Sequence, residues 1–392
     1  MPNILMLHDG EQPTLLSLYT AMCKFSENND CEVKKRYANR LNAQELNWAD
    51  IIICVRGESP ATYAVLKCAR ENGKYSVYFL DDDLKDMPKG SFRYPGRRKW
   101  LLKCIKQCSL FFTSSQLLAD EYKEYVLEHR TALINTAVPG GDITKCSNDS
   151  EVIKIVYAAS EGHISNFDAY IKPILSQLFA KYGKGIELFF IGLHPDVDVG
   201  EYSSQIHYIP GMSMQKYHEY MQSHHFDIGL APLVTNHFTE RKYFNKYIEY
   251  AKFGICGIYS DVMPYRLAVI DGWNGIFSKN TPEAWLEAIK SVVDNKEERE
   301  RIINSAQQHL RDEHSEERIF EKLSADICEL TSYKAPEMVN GWPAYIYYYK
   351  LRYTWFRFCE SVYLTTYSLR HFGLDKTFEK IKRKVKSSNE SS

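Results

Sequence analysis

At 392 residues the chain is too long for one hydrophobic core and suits two domains of ordinary size. Its apolar content of 44% and charged content of 25% belong to a soluble globular protein, which excludes a disordered or fibrous chain. A formal net charge of -1 removes any case for nucleic-acid binding driven by overall charge, so no nucleic-acid partner is expected.

The chain opens on the apolar run Ile4–Leu7, which ends at His8, Asp9 and Gly10 without the pattern of a signal peptide. A helix is expected from about Leu15 to Glu27. Ile51–Val55 reads as a buried strand ending at Arg56, followed by a helix over 61–72. Another strand, about 76–80, ends in the triplet Asp81, Asp82, Asp83. Leu110–Thr113 is a further strand, with a helix over 115–127 behind it. Continuous apolar strands alternating with helices predict a parallel sheet covered on both faces.

Gly, Pro, Ser and Asn cluster at residues 139–150, which reads as a domain linker. The alternation then restarts. Strands are expected at 153–157, 187–192, 206–211, 227–233 and 255–260, and helices at 167–182, 214–223, 282–293 and 296–313. The predicted class is α/β, with two tandem Rossmann-like domains facing a cleft and a C-terminal helical extension. The boundaries are 1–145, 150–330 and 331–392.

The last segment differs in kind. Tyr345, Tyr347, Tyr348, Tyr349, Tyr353, Trp355, Phe356, Phe358, Tyr363 and Tyr367 crowd it, and Lys380, Lys382, Arg383, Lys384 and Lys386 close it. Aromatics with a basic run suit an interfacial helix on an anionic membrane, or a helix that packs back across the first domain. The basic stretch from Arg93 to Trp100 could join the same surface. No apolar run is long enough to span a bilayer. Ten scattered cysteines form no metal-like cluster, and a reducing, cytoplasmic location with free thiols fits them.

Three places could carry chemistry. Lys242, Lys246 and Glu249 stand at i, i+4 and i+7, which puts them on one face of the helix expected there. Cations in the first turns of a helix oppose its dipole, so the face could hold an anion such as a diphosphate. It could equally be a solvated face on which Lys246 and Glu249 form an ordinary pair. The turn Ser160-Glu161-Gly162-His163 follows a strand and precedes a helix, where Gly162 would let backbone amides approach a phosphate and His163 could donate to one. Asp81 to Asp83 could hold Mg²⁺ or Mn²⁺, or simply form a turn.

Several of these segments resemble the GT-B-fold glycosyltransferases, in particular glycosyltransferase family 4 and its group 1 relatives. Residues 157–168 resemble the family's first turn, an aromatic-x-Gly-Ser followed by Asp. Residues 238–254 resemble a branch with the pattern Phe-Asn-x-x-Lys-Ser-x-x-Lys-x-x-Glu-Tyr-x-x-x-Gly. Lys242, Lys246, Glu249, Tyr250 and Gly254 match, while Thr239 and Tyr243 depart from it. Residues 79–88 resemble a segment of that branch's N-terminal domain. The likeness covers about residues 50–315.

The resemblance implies a hexosyltransferase-type, retaining enzyme that binds a nucleoside-diphosphate sugar mainly through its second domain. Glu249 matches the second acid of a Glu-x7-Glu motif and would contact the donor ribose. The first acid falls at Arg241, with Glu240 one residue away. Lys242 and the turn at Gly162 and His163 would lie near the diphosphate. The implied reacting groups are thus Glu240, Lys242 and His163, and the implied donor contacts are Glu249, Lys246, Gly162, Ser160 and Arg241. No metal or other cofactor is implied, the nucleotide sugar being a co-substrate, and Asp81 to Asp83 would shape the acceptor side or a loop rather than hold an ion. The expected acceptor is a glycan or a lipid-linked glycan in surface-polysaccharide or glycoconjugate assembly, at the inner face of a membrane. The alternatives are a nucleotide-sugar epimerase or hydrolase on the same fold, and a catalytically silent binding partner.

Overall fold

The computed structural model describes residues 2–10, 13–28, 31–87, 93–135, 137–138, 143, 151–338 and 342–389. The chain divides into two compact units, one comprising residues 1–15, 26–133 and 323–392, the other 16–25 and 134–322. The expected linker at 139–150 lies outside the described residues apart from Ile143.

The first unit holds six parallel strands: β1 (Ile4–His8), β2 (Val33–Tyr37), β3 (Ile51–Val55), β4 (Tyr75–Leu80), β5 (Leu110–Thr113) and β6 (Arg130–Leu133). Their order is β2-β1-β3-β4-β5-β6. The central strands β1, β3, β4 and β5 are buried along their whole length, which is why they read as continuous apolar runs. β2 and β6 are half-exposed edges. The Lys34, Lys35 and Arg36 of β2 blunt its edge against further pairing, and they also hide it from an apolar-run reading.

The second unit has six more parallel strands: β7 (Ile153–Ala158), β8 (Ile186–Ile191), β9 (Ile206–Ile209), β10 (Ile228–Ala231), β11 (Cys256–Ser260) and β12 (Ile276–Ser278). Their order, β12-β11-β10-β7-β8-β9, is that of a Rossmann sheet. The chain reverses its direction across the sheet between β7 and β10, so the crevice for a ligand opens beyond the C-terminal ends of those two strands. The helices Pro282–Val293 and Lys296–His314 lie close to the expected spans. The helix expected over 167–182 is instead broken into Ile164–Tyr170, a 3-10 turn Lys172–Ile174 and Leu175–Tyr182. Pro173 lacks the N–H that a continuous helix would need there.

Residues from Leu323 onward belong to the first unit rather than standing apart as a tail. Lys334 Nζ and the Ala335 amide both reach Asp50, at 3.0 Å each. The long helix Ala344–Asn389, kinked at Gly373, buries Ile346 in the first core and packs Tyr349 against Tyr63 and Trp100. Much of the basic stretch before it is consumed internally. Arg93 and Arg97 both pair with Glu58, and Arg97 also pairs with Glu360 of the long helix.

Candidate functional site

The turn after β7 is set by close backbone packing. The Ala159 amide donates to Ile191 O at 3.0 Å. Gly192, at φ +83°, lies so near that a Cβ there would stand 2.8 Å from Ala159 O. Only glycine fits, in both conformation and space. Ser160 then precedes the 3-10 turn Glu161–His163, whose His163 amide donates to Ser160 O at 2.9 Å. The Tyr157 hydroxyl donates to His163 O at 3.0 Å, and the Asn166 amide nitrogen sits 3.3 Å from His163 Nδ1. Ser160, Glu161 and Gly162 are exposed. A Cβ on Gly162 would meet only Ser160 Oγ, at 3.9 Å, so the fold itself leaves room there.

The loop after β10 is closed by its own polar groups. Ser260 Oγ accepts from the Leu233 amide at 2.8 Å and donates to Asn280, which returns a bond to Leu233 O at 2.9 Å. Asn236 Oδ1 accepts from the Phe238 and Thr239 amides at 3.0 Å, and Thr239 Oγ1 donates to Val234 O at 2.6 Å. This turn leads into a 3-10 segment, Thr239–Arg241. Lys242 is extended, at φ -68° and ψ 161°, and the helix begins only at Asn245. The expectation of a single helix starting near Arg241 is therefore corrected. Lys242 lies before the helix, and only Lys246 occupies its first turn. Thr239 and Asn236 offer the backbone a competing turn, a local preference that apolar periodicity does not register.

The helix Asn245–Lys252 is pressed onto the sheet at Gly229. A Cβ there would stand 2.6 Å from the Tyr250 ring, and the Tyr250 hydroxyl donates to Leu230 O at 2.9 Å. On the far side, Tyr247 is buried and shares its hydroxyl with Asn274 Nδ2 at 3.0 Å and His309 Nδ1 at 2.7 Å. So fixed, the helix holds Lys246 Nζ 2.8 and 3.0 Å from the two oxygens of Glu249. The Tyr217 hydroxyl, from the helix Met214–His224, also donates to Glu249. Burial and the nearby Glu249 charge push the Tyr217 phenol well above its ordinary range. Sequence reasoning missed Tyr217, because no local spacing joins it to a residue so far along the chain.

What unites the two loops is electrostatic. Burial first, and then the charges of Lys242 and Lys246, hold the His163 imidazole down at about 4, against an ordinary value of 6.5. His163 is therefore neutral at pH 7, beside two cations and an open backbone turn. An anion placed there gains from both lysines and from imidazole N–H donation. Of the expected residues, His163, Lys242, Lys246 and Glu249 are thus linked, with Ser160 and Gly162 in the same turn as His163. Glu240 and Arg241 sit in the short Thr239–Arg241 segment, both half-buried, and Arg241 donates back to His237 O at 2.9 Å.

Asp81 to Asp83 are built into the first unit. Asp81 accepts from Thr14 Oγ1 at 2.6 Å and pairs with Arg56, as does Asp82. Tyr122 donates to Asp83 at 2.7 Å.

No protein-family model matches the chain, and no curated protein matches it in sequence. Solved structures match it in shape. HepE of Anabaena, crystallised with UDP-glucose, superposes at a TM-score of 0.56 and 13% identity, over 83% of this chain and 100% of its own. An alpha-glucosyltransferase in complex with UDP and a 13-mer DNA gives 0.56 and 13%, over 83% and 98%. A putative UDP-N-acetylglucosamine 2-epimerase from Listeria monocytogenes gives 0.51 and 11%, over 84% and 97%. TarM gives 0.53 and 10%, over 70% of this chain, which spans only 54% of TarM. At these identities the likeness is one of fold: the chain has the α/β GT-B architecture, with a long C-terminal helix.

Proposed function

We propose that this protein is a glycosyltransferase that uses a nucleoside-diphosphate sugar. The observation that carries the reading is that the charges of Lys242 and Lys246 act on the buried His163 ring, at the β7/β10 switch point of a GT-B fold. In this reading Lys242 and the amides of the turn at Gly162 take the diphosphate, stabilising its charge as the glycosidic bond breaks. His163, neutral in the free protein, donates a hydrogen bond to a phosphate or sugar oxygen. Glu249, oriented by Lys246 and Tyr217, receives the ribose hydroxyls. Because HepE and the alpha-glucosyltransferase were crystallised with UDP or UDP-glucose, a uridine nucleotide is the first donor to test. We further infer transfer of a hexosyl group with retention of configuration to a glycan or lipid-linked acceptor, in the assembly of surface polysaccharide or glycoconjugate.

A second reading is favoured by the match to a putative epimerase: rearrangement or hydrolysis of the donor with no acceptor. One experiment separates them. Thermal denaturation with UDP-, GDP-, ADP- and dTDP-sugars identifies the donor, since a ligand at one hundred times its Kd adds about 2.7 kcal/mol to the native state. Product analysis of that donor alone then decides. A donor that binds but is consumed only after acceptor is added supports transfer. Turnover without acceptor supports the rival, and binding of no donor refutes both.

A further inference from the structure

The helix Ala344–Asn389 has two apolar faces. One packs on the first unit through Tyr345, Ile346, Tyr349 and Tyr353. On the other, Tyr347, Leu351, Trp355, Phe358, Val362 and Leu369 recur every three, four or seven residues and are all exposed. Leu351 is 75% exposed, Trp355 66% and Phe358 58%. A contiguous stripe of this kind marks an interaction surface.

Charge narrows the partner. Between Ala344 and Leu374 the one carboxylate in the sequence is Glu360. It is buried on the packed face, where Arg97 and Arg357 pair with it. Between Ala344 and Leu374 the exposed face therefore carries no acid. Arg352 and Arg370 are exposed along one flank of the stripe. Arg352 and Lys103 both lie over Trp100, at 5.3 and 5.1 Å from the ring, extending the cationic margin. In sequence, Lys380, Lys382, Arg383, Lys384 and Lys386 follow, and their side chains lie outside the described residues. Among the described residues no helix is long and apolar enough to cross a membrane.

We propose that this face lies in the interfacial layer of an anionic lipid bilayer. Trp355 and Tyr347 suit the headgroup level, Leu351, Phe358 and Val362 the acyl boundary, and the arginines the lipid phosphates. A second copy of the chain fits less well. Two-fold pairing of the face would set Arg352 and Arg370 against their own copies with no exposed acid between them. An anionic surface removes that repulsion.

The test is co-sedimentation of the full chain with phosphatidylglycerol–phosphatidylcholine vesicles and with phosphatidylcholine alone. The protein is expected to bind only the first, less tightly as salt rises. The variant L351S/W355S/F358S removes side chains directed at solvent, and its partitioning is expected to fall about tenfold or more. R352Q/R370Q, which leaves the apolar stripe intact, is expected to bind several-fold less tightly and with a weaker salt dependence. Donor binding serves as the folding control and is expected to be unchanged in both. Failure of the native chain to bind, or equal binding by both variants, overturns the proposal. So does a concentration-dependent dimer that the triple variant abolishes, which would assign the face to a second copy.

Discussion

If Lys242 and Lys246 act on His163 as its lowered pKa indicates, the titration of that one ring reports on the whole site. The imidazole is held at about 4 against 6.5, with burial the larger cause and the two lysines the smaller. Because the native state binds its proton less readily than the unfolded chain, the unfolded state takes up more protons between these values. Stability is therefore fully present above pH 6.5 and falls as the pH drops through the window to about 4. At 1.36 kcal/mol per pH unit the ceiling is about 3.4 kcal/mol. The ring keeps some contact with solvent, so about 2 kcal/mol is the expected loss. Lys242→Ala should move the titration upward but short of 6.5, since burial remains. Bound UDP should move it upward as well, by setting phosphate charge beside the ring. The assay is NMR titration of the His163 Cε1 proton in the native chain, in Lys242→Ala and with UDP. A ring that titrates near 6.5 in the free native protein, or one indifferent to UDP that demonstrably binds, refutes the reasoning.

Three further outcomes are expected. Gly229→Ala should cost about 1–3 kcal/mol in denaturant melts by driving the Tyr250 ring off the sheet, whereas Gly162→Ala should stay within about 0.5 kcal/mol and yet bind UDP several-fold more weakly. Glu249→Ala should weaken UDP in calorimetry by roughly tenfold or more, and Tyr217→Phe by less, since Lys246 still orients the carboxylate. Glu360→Gln should lower stability by about 1–2 kcal/mol in urea unfolding, because it removes a buried charge that pairs with Arg97 and Arg357, while Arg97 keeps Glu58 and Arg357 reaches solvent.

The sequence made the architecture legible wherever burial alone decides structure. β1, β3, β4 and β5 carry apolar side chains on both faces, and they were readable as strands without knowledge of their neighbours. β2, β6 and β12 are short edges held by ladder bonds to an adjacent strand, and that information lies elsewhere in the chain. The site divides in the same way. The turn at Gly162 and His163 was legible because a strand ends there. Lys242 was read onto a helix face because periodicity sees side chains, while the backbone of the loop follows Asn236 and Thr239. Tyr217 was invisible because its contact with Glu249 exists only once two helices pack on one sheet.

The departure at Arg241 has a structural consequence. The Glu-x7-Glu motif of the family that residues 238–254 resemble sets an acid at this position, and the resemblance implies that it faces the sugar. Here the guanidinium turns back to His237 O, so it serves the loop. Glu240, one residue earlier, belongs to the same 3-10 segment, which has about three residues per turn. A shift of one residue therefore swings a side chain about a third of the way round the axis. Glu240 cannot simply replace the missing acid in the same direction, and if it meets the sugar it does so from another side. Glu240→Gln then separates chemistry from binding. A fall in kcat with UDP affinity unchanged would make Glu240 the sugar-facing acid of a rearranged site. Unchanged kcat would remove it from the reacting groups, leaving Lys242 and His163 to carry the leaving-group charge.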